Sequence, residues 1–364
     1  MARFKVGILQ GDYIGPEITK EAVKVLTEVG RRYHHQFDLE YLEASGEAFD
    51  KYGEHLPAHT LTNAAQCDAL LKGPFGGPPE ELHHPKWANV ERDAILPLRK
   101  HFNLYTNLRE TRVLPGMEHL SPIKPEIVRG IDLLIVRELT SGIYFGPKSD
   151  RVVDGERESS DLEVYRESEI RRIAQKAFEY ARGRKHKVTL VAKSNVLTSS
   201  RLWREVTAEV AKAYADITLD YLHVDNAAMQ LVLNPRQFDV ILTNNIFGDI
   251  LSDEASVLSG SIGLFPSASL GDSGFGLYEP IHGSAPSIAG QNLANPISAI
   301  LSVALMLRYS FGCLEESQAV ERAVADVLGQ GYRTVDLMGG GEIQNHQVGT
   351  REMGDLIVGQ LTRD

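Results

Sequence analysis

The sequence predicts an α/β protein with a largely parallel sheet, organised in two domains. Apolar strand-like runs alternate with amphipathic helical runs, as in FKVGIL followed by PEITKEAVKVLTEVGRRY and KVTLVA followed by SSRLWREVTAEVAKAYA. This alternation is typical of parallel sheets. Pro16 falls just inside the first helical run, where proline favours a helix start. A length of 364 residues exceeds the usual single core and favours two domains.

Composition and charge exclude several classes of partner. The net charge of −11 opposes general attraction to nucleic acid or anionic lipid, so we predict neither as a partner. No uninterrupted apolar segment approaches the roughly 20 residues that a membrane helix needs. The chain starts directly with a strand-like run and shows no apolar signal region. We therefore expect a cytoplasmic protein without a membrane span.

The cysteines and the paired histidines carry no obvious chemistry. Cys67 and Cys313 are far apart in the sequence, which favours reduced structural thiols over a disulfide framework. The pairs His34/His35 and His83/His84 suggest a metal site, but adjacent residues on a helix or strand do not face one point. We therefore expect both pairs at the surface.

The segment NNIFGDILSDEASV, which begins at Asn244, places Asp249 and Asp253 four residues apart. On a helix these two carboxylates share one face. The apolar residues expected to bury much of that helix are Ile246, Phe247, Ile250 and Leu251. Carboxylates beside a core are costly unless a cation meets them, and Mg²⁺ or Mn²⁺ prefers oxygen ligands. Taken alone, this spacing is more often a solvated pair of acids.

Other segments add groups that suit the same chemistry. Lys193 follows the apolar run KVTLVA, and Asp225 lies where ITLDYLHV gives way to a helical pattern. Such positions, at the ends of strands, often present functional groups in α/β proteins. Upstream segments contribute Arg99, Arg109, Arg137 and Tyr144. Each arginine alone is more often a surface charge, but together these groups indicate a polycarboxylate bound with a divalent cation.

Four strings resemble the β-decarboxylating dehydrogenases, and the isopropylmalate branch of that family most closely. These are VGILQGDYIGPEI, VDNAAMQLV, FGDILSDEAS and EPIHGSAP, and the similarity covers almost the whole chain. The resemblance implies two α/β domains of a fold that is not the standard Rossmann fold. It places a cofactor-binding domain at 1–104 plus 260–364, and a substrate, metal and dimerisation domain at 105–259 with an arm near 146–165. It also implies a homodimer whose subunits share each active site.

The resemblance implies a reaction and a role for each candidate residue. A divalent metal would be bound by Asp249 and Asp253 of one subunit and Asp225 of the other. Lys193 would take a proton from the substrate hydroxyl, and Tyr144 would help protonate the enol carbon after loss of carbon dioxide. The substrate-binding set is Ile95, Arg99, Arg109, Arg137 and Asp225. The implied reaction oxidises and decarboxylates (2R,3S)-3-isopropylmalate to 4-methyl-2-oxopentanoate with reduction of NAD, a step of leucine biosynthesis.

The cofactor-binding residues also come from the resemblance, because GDYIG near the N-terminus lacks the GxGxxG order of a standard dinucleotide site. They form the loop HGSAP and its neighbours, namely Glu279, His282, Gly283, Ser284, Ala285, Pro286, Ser287, Ile288 and Asn295. Without the resemblance, HGSAP is an ordinary turn. Ser287 replaces the acidic residue that usually accepts the adenosine ribose hydroxyls in members that use NAD. We therefore predict NAD with relaxed discrimination against NADP.

The sequence is also compatible with other substrates and with other classes of activity. Arg92 stands where isopropylmalate enzymes usually have an acidic residue, and Glu110 follows Arg109 in place of a proline. A relative acting on homoisocitrate, D-malate, tartrate or a phosphonate analogue of malate would use the same chemistry. From other classes, a magnesium-dependent phosphotransferase or hydrolase could use the aspartates, although GxxxxGK[ST] is absent. A silent regulatory homologue would keep the fold and lose the catalytic groups, which are present here.

Overall fold

The computed structural model describes residues 1–114, 116–338 and 345–362, and it consists of strands and helices. The strands in chain order are β1 (Arg3–Leu9), β2 (Gln36–Tyr41), β3 (Ala69–Lys72), β4 (Thr106–Arg112), β5 (Asp132–Glu138), β6 (Lys148–Val153), β7 (Glu156–Asp161), β8 (Lys187–Ala192), β9 (Thr218–His223), β10 (Val240–Thr243), β11 (Pro266–Leu270), β12 (Gly276–Pro280), β13 (Tyr332–Arg333) and β14 (His346–Gln347). The predicted α/β class is confirmed.

Helices alternate with these strands along much of the chain, as the sequence pattern predicts. They are α1 (Gly15–Tyr33), α2 (Ser45–Tyr52), α3 (Ala58–Ala64), α4 (Leu96–His101), α5 (Pro125–Val128), α6 (Glu167–Arg182), α7 (Thr198–Ala211), α8 (Val224–Leu233), α9 (Asn245–Val257), α10 (Ile297–Tyr309), α11 (Leu314–Gly329) and α12 (Thr350–Leu361). A short π-helical turn, Glu91–Ile95, precedes α4. No helix in the described ranges is long and apolar enough to cross a membrane.

The chain folds into two compact units. Unit 1 comprises Met1–Leu104 and Ser259–Asp364, and unit 2 comprises Tyr105–Leu258. Within unit 1 the strand order is β2-β1-β3-β12-β11, parallel except for the antiparallel pair β11/β12. Leu9, Leu70 and Leu277 belong to the core of this unit.

Within unit 2 the strand order is β4-β5-β10-β8-β9, and all pairs but β4/β5 are parallel. Ile135, Val191 and Ile241 from neighbouring strands pack into one core with Leu251 of α9. Strands β6 and β7 form an antiparallel hairpin in which every residue is exposed. This hairpin occupies the segment predicted as an arm.

Two expectations about burial need correction. Ile250 was expected to bury α9, but it is 59% exposed because the core contacts this helix through Leu251 and Ala255, on another face. His35 was expected at the surface, but only 12% of its side chain is exposed, because it pairs with Glu316 from a distant part of the chain. His34, His83 and His84 are exposed as predicted.

Candidate active site

The carboxyl ends of parallel strands bring the predicted residues of unit 2 to one edge of its sheet. Arg137 pairs in register with Thr243 at the end of β10, and Thr243 pairs with Val191 near the end of β8. Lys193 directly follows β8, and Asp225 lies at the start of α8, just after β9. The backbone of the sheet alone therefore places these residues near one another at one edge.

Asp249 is the centre of a cluster of cationic and hydroxyl groups. Its Oδ1 accepts a hydrogen bond from Nη1 of Arg137 at 2.6 Å, and its Oδ2 accepts one from the Tyr144 hydroxyl at 2.7 Å. Nη2 of Arg109 lies 3.5 Å from Oδ1. The side chain of Asp249 is 33% exposed. Two arginines and a tyrosine thus surround a carboxylate that solvent still reaches.

Arg137 is fixed more rigidly than a surface arginine. Only 2% of its side chain is exposed, and Nε and Nη2 both donate to Oδ1 of Asn245, at 3.2 and 2.8 Å. A Cβ atom at Gly248 would lie 2.6 Å from Cγ of Arg137, so glycine at this position allows α9 to approach the arginine stem. The helix itself begins at Asn245, where the Asn244 side chain accepts from the Phe247 amide at 2.9 Å.

Arg109 connects the two aspartates of α9. Its Nη1 donates to Asp253 Oδ1 at 2.8 Å and to Ser252 Oγ at 2.7 Å, while Nε donates to Asn107 Oδ1 at 3.0 Å. Since Arg109 also approaches Asp249, the predicted sharing of one helix face by the two aspartates is confirmed. A planar guanidinium with forked donors suits a carboxylate ligand.

Lys193 and Asp225 form a second group in unit 2. Nζ of Lys193 donates to Oδ1 of Asp225 at 2.7 Å, and this ammonium group holds the pKa of the Asp225 carboxyl below its usual value. Within the described residues of one chain, Asp225 does not join Asp249 and Asp253 in a group of three carboxylate oxygens within 4.8 Å. The three predicted metal ligands therefore do not form one compact group among the described residues of a single chain.

The donor set of α9 fits a hard divalent cation. Asp249 and Asp253 offer carboxylate oxygens, the ligands that Mg²⁺ and Mn²⁺ prefer, on one exposed helix face. The oxygens that would ligate the cation are those now paired with arginine and tyrosine donors. A cation and an anionic substrate could therefore exchange with these pairs without leaving a buried charge unpaired.

In unit 1, Glu279 is also paired with two cationic groups. Lys72 Nζ lies 2.6 Å from Oε2, and Arg99 Nη2 lies 3.0 Å from Oε1. Burial of Glu279 would raise its pKa, but the charges of Lys72 and Arg99 outweigh this and lower the pKa to about 2. Both oxygens of this carboxylate, which was predicted to contact the cofactor, thus have partners within unit 1.

The loop predicted to bind the cofactor contains an unpaired polar atom. Nε2 of His282 is buried and has no hydrogen-bond partner, whereas Nδ1 contacts the Gly283 carbonyl at 3.0 Å. Burial lowers the pKa of His282, so the neutral imidazole is favoured. A Cβ atom at Gly283 would meet nothing within 4 Å, so the backbone here is open to a ligand. These features fit the adenosine part of a dinucleotide.

The remaining predicted cofactor residues are arranged around this loop. Ala285 has a left-handed backbone, and Pro286–Ile288 forms one turn of 3-10 helix with Ser287 exposed. The Asn295 side chain donates to Asp336 at 3.0 Å and accepts from the Ile297 amide at 3.0 Å. Asn295 is therefore held in place by internal hydrogen bonds.

Arg92 and Glu110, the two residues that differ from the usual isopropylmalate pattern, each pair with a neighbouring side chain of opposite charge. Arg92, in the π-helical turn, donates from Nε and Nη2 to Asp93 at 2.8 and 3.1 Å. Glu110 lies 3.4 Å from Nη2 of Arg112. Ile95, at the end of the same turn as Arg92, is buried. The positive charge of Arg92 is thus offset by its neighbour.

Sequence reasoning missed Lys72 and Asn245. Lys72 is the last residue of the buried strand β3, so the strand-end rule that indicated Lys193 applies to it equally. Asn245 could not be found in this way, because its role depends on Arg137, which is 108 residues away in sequence.

Comparison with known proteins agrees with this geometry. The family model described as isocitrate/isopropylmalate dehydrogenase matches residues 5–357. A 3-isopropylmalate dehydrogenase of Geobacillus kaustophilus is 54% identical over 98% of this chain and 95% of that protein. One from Carboxydothermus hydrogenoformans is 51% identical, again over 98% of this chain and 95% of that protein.

The solved structures lead to the same family. The crystal structure of isocitrate dehydrogenase from Methylococcus capsulatus has a TM-score of 0.86 and 35% sequence identity, and it covers 98% of this chain and 99% of that chain. The fold is that of a decarboxylating dehydrogenase. The chain belongs to the isocitrate/isopropylmalate dehydrogenase family.

Proposed function

We propose that this chain oxidises and decarboxylates (2R,3S)-3-isopropylmalate to 4-methyl-2-oxopentanoate while reducing NAD, a step of leucine biosynthesis. The observation that carries the proposal is the cluster around Asp249, in which Arg109, Arg137 and Tyr144 converge on one accessible carboxylate. Relatives at about half identity over nearly the full chain bear the name 3-isopropylmalate dehydrogenase, which supports the choice of substrate.

The residues of unit 2 would divide the chemistry among them. Arg109 and Arg137 would bind the malate carboxylates through their forked donors. Nζ of Lys193 would accept the proton of the C2 hydroxyl, and the Tyr144 hydroxyl would deliver a proton to C3 after carbon dioxide leaves. Positioned groups of this kind each contribute roughly a hundredfold to ten-thousandfold to the rate. Arg99 and Ile95 would also contact the substrate, as the resemblance implies.

Two bound groups would complete the site. Asp249, Asp253 and Asp225 would hold Mg²⁺ or Mn²⁺, which lowers the pKa of a coordinated hydroxyl and stabilises developing negative charge. The loop His282–Ile288, with Asn295 and Glu279 nearby in sequence, would bind NAD, the hydride acceptor. The buried, unpaired Nε2 of His282 supports an assignment to the adenosine part.

We further propose a homodimer that shares its active sites. Among the described residues of one chain, Asp225, Asp249 and Asp253 do not form one compact group of ligands, which supports it, since a partner subunit could supply a ligand. Helices α8 and α9 also expose large apolar residues, namely Met229, Leu233, Ile250 and Val257. Large exposed apolar side chains on neighbouring helices are consistent with an interaction surface. The exposed β6/β7 hairpin would be the arm that contacts the partner.

The pairing of Arg92 with Asp93 bears on the substrate. An unpaired arginine would favour an anionic γ-substituent such as that of isocitrate or homoisocitrate. Because Asp93 offsets this charge through two hydrogen bonds, an apolar substituent beside Ile95 is favoured.

A substrate panel tests the proposed function. Purified protein is given NAD, Mg²⁺ or Mn²⁺, and in turn 3-isopropylmalate, isocitrate, homoisocitrate, D-malate and tartrate, and the formation of NADH is followed. We expect the highest kcat/KM with 3-isopropylmalate. A higher value with another acid would overturn the substrate assignment, and no turnover of any acid would overturn the proposed activity.

Lys187 is a matched control for Lys193, because Lys187 begins β8 and Lys193 directly follows that strand. Lys187, at the other end of β8, pairs with Asp220 at 2.7 Å, the same distance as in the Lys193–Asp225 pair. Lys193→Met should lower kcat by about a hundredfold or more, whereas Lys187→Met should leave it nearly unchanged. Equal effects of the two substitutions on kcat would contradict an acid–base role for Lys193.

A further inference from the structure

Three side chains of unit 1, outside the site described above, combine three kinds of metal ligand. They are His35, Cys313 and Glu316, and one ligand atom of each lies within 4.8 Å of the others. Nε2 of His35 is 2.7 Å from Oε1 of Glu316. An imidazole nitrogen, a thiol sulfur and a carboxylate oxygen are together the ligand types that Zn²⁺ binds in proteins.

The backbone already holds these three residues in place. Cys313 is the N-cap of α11 and Glu316 lies in its first turn, so both face the same side of the helix start. The Cys313 amide donates to the Leu307 carbonyl at 2.8 Å. His35 follows α1 directly after His34, whose left-handed backbone ends that helix, and the His35 amide donates to the Gly30 carbonyl at 3.0 Å. The ligands are therefore positioned without an ion.

The surroundings limit competition from water. The side chains of His35 and Glu316 are 12% and 13% exposed, and Cys313 is buried. The rings of Phe4 and Phe37 lie beside the imidazole, with centroids 6.0 and 6.3 Å away. Few hydrogen bonds to solvent would therefore be lost when a cation enters.

We propose that His35, Cys313 and Glu316 form a binding site for Zn²⁺ or a divalent cation of similar softness, with water as the fourth ligand. The site differs in chemistry from the aspartates of α9, because sulfur and nitrogen ligands select against Mg²⁺ and Mn²⁺. The cation would join the end of α1 to the start of α11, and so stabilise unit 1.

Binding has a defined proton balance. The thiol of Cys313 would lose its proton to solvent as the sulfur–metal bond forms. The proton on Nε2 of His35 would move to Nδ1, which gives up a long hydrogen bond (3.3 Å) from the Ala2 amide. One proton is thus released for each cation bound, so the apparent affinity should fall as the pH is lowered.

Cobalt spectroscopy tests the proposal independently of enzyme activity. The full-length protein is treated with EDTA, saturated with Mg²⁺ to fill oxygen-only sites, and then titrated with Co²⁺. A thiolate bound to Co²⁺ gives an intense charge-transfer band in the near ultraviolet, which carboxylate ligands do not give. Cys67 is a matched control, because it is the second buried free cysteine of unit 1.

The proposal makes distinct predictions for each variant. The band should appear with one equivalent of Co²⁺ in the unchanged protein and in Cys67→Ser, and it should be absent in Cys313→Ser. In His35→Gln, which keeps the thiol, the band should need at least tenfold more Co²⁺ to reach half its maximum. Zn²⁺ should displace Co²⁺ and raise the unfolding temperature of all proteins except the His35 and Cys313 variants. No band in the unchanged protein, or a band that survives Cys313→Ser, would overturn the site.

Discussion

Asp249 and Glu279 are each paired with two cationic side chains, yet their environments differ. Glu279 is held by Lys72 and Arg99, and 9% of its side chain is exposed. Asp249 is approached by Arg109 and Arg137, and 33% of its side chain is exposed. A buried and fully paired carboxylate stabilises the fold, whereas an accessible one can exchange its partners for a cation and a substrate. The same kind of pairing can therefore fix a buried carboxylate in one unit and leave an accessible carboxylate able to exchange its partners in the other.

The largest effect is expected at the buried carboxylate. Glu279→Gln removes a charge that lies between two largely buried cations and leaves them without a counter-ion. Breaking such a pair typically costs about 3–5 kcal/mol of unfolding free energy. Denaturant unfolding of the two proteins at neutral pH measures this difference. A loss below about 1 kcal/mol would break the comparison, because Glu279 would then behave as a surface group.

The accessible cluster should show the opposite result. Asp253→Asn removes an exposed partner of Arg109, so we expect an unfolding free energy within about 1 kcal/mol of the original. The substitution should instead weaken cation binding, so that half-maximal turnover needs at least tenfold more Mg²⁺ or Mn²⁺. Unchanged cation dependence would show that Asp253 is not a ligand.

The pH dependence of stability sharpens the same contrast. The pKa of Glu279 is about 2 in the folded protein, below the ordinary value of 4.5, so its ionised form stabilises the fold. This contribution is complete above pH 4.5 and is lost as the pH falls towards 2. The difference in unfolding free energy between the protein and Glu279→Gln should therefore shrink over this window. A difference that stays constant in acid would contradict the lowered pKa.

The smallest effect is expected at Arg92. Its pair with Asp93 is exposed, and such pairs contribute about 0–1 kcal/mol. Because Asp93 already offsets the charge, Arg92→Ala should change the ratio of kcat/KM for 3-isopropylmalate to that for isocitrate by less than about fivefold. A much larger gain in this ratio would show that Arg92 attracts an anionic substituent despite its pairing.

The sequence predicted the elements that depend on local pattern. The four-residue spacing of Asp249 and Asp253 indicated one helix face, and the positions of Lys193 and Asp225 at the ends of strands indicated functional groups. Both follow from the periods of helix and strand, and the structure has them as α9 and as the ends of β8 and β9.

Partners distant in sequence could not be predicted from pattern. His35 meets Glu316 across 281 residues, so it was wrongly expected at the surface. Arg99 meets Glu279 across 180 residues, and the partnership of Lys72 with the same carboxylate was not foreseen. Ile250 is exposed because another face of α9 meets the core, and the periodicity of the sequence alone does not identify that face.

The proposed function requires that the accessible carboxylates of α9 bind a divalent cation that turnover needs. The most direct measurement is the rate of NADH formation from 3-isopropylmalate by EDTA-treated protein, before and after Mg²⁺ is added, for the unchanged protein and for Asp249→Asn. We expect little activity without the cation, recovery with Mg²⁺ in the unchanged protein, and no recovery in the variant. Equal rates with and without Mg²⁺, or full activity of Asp249→Asn, would contradict it.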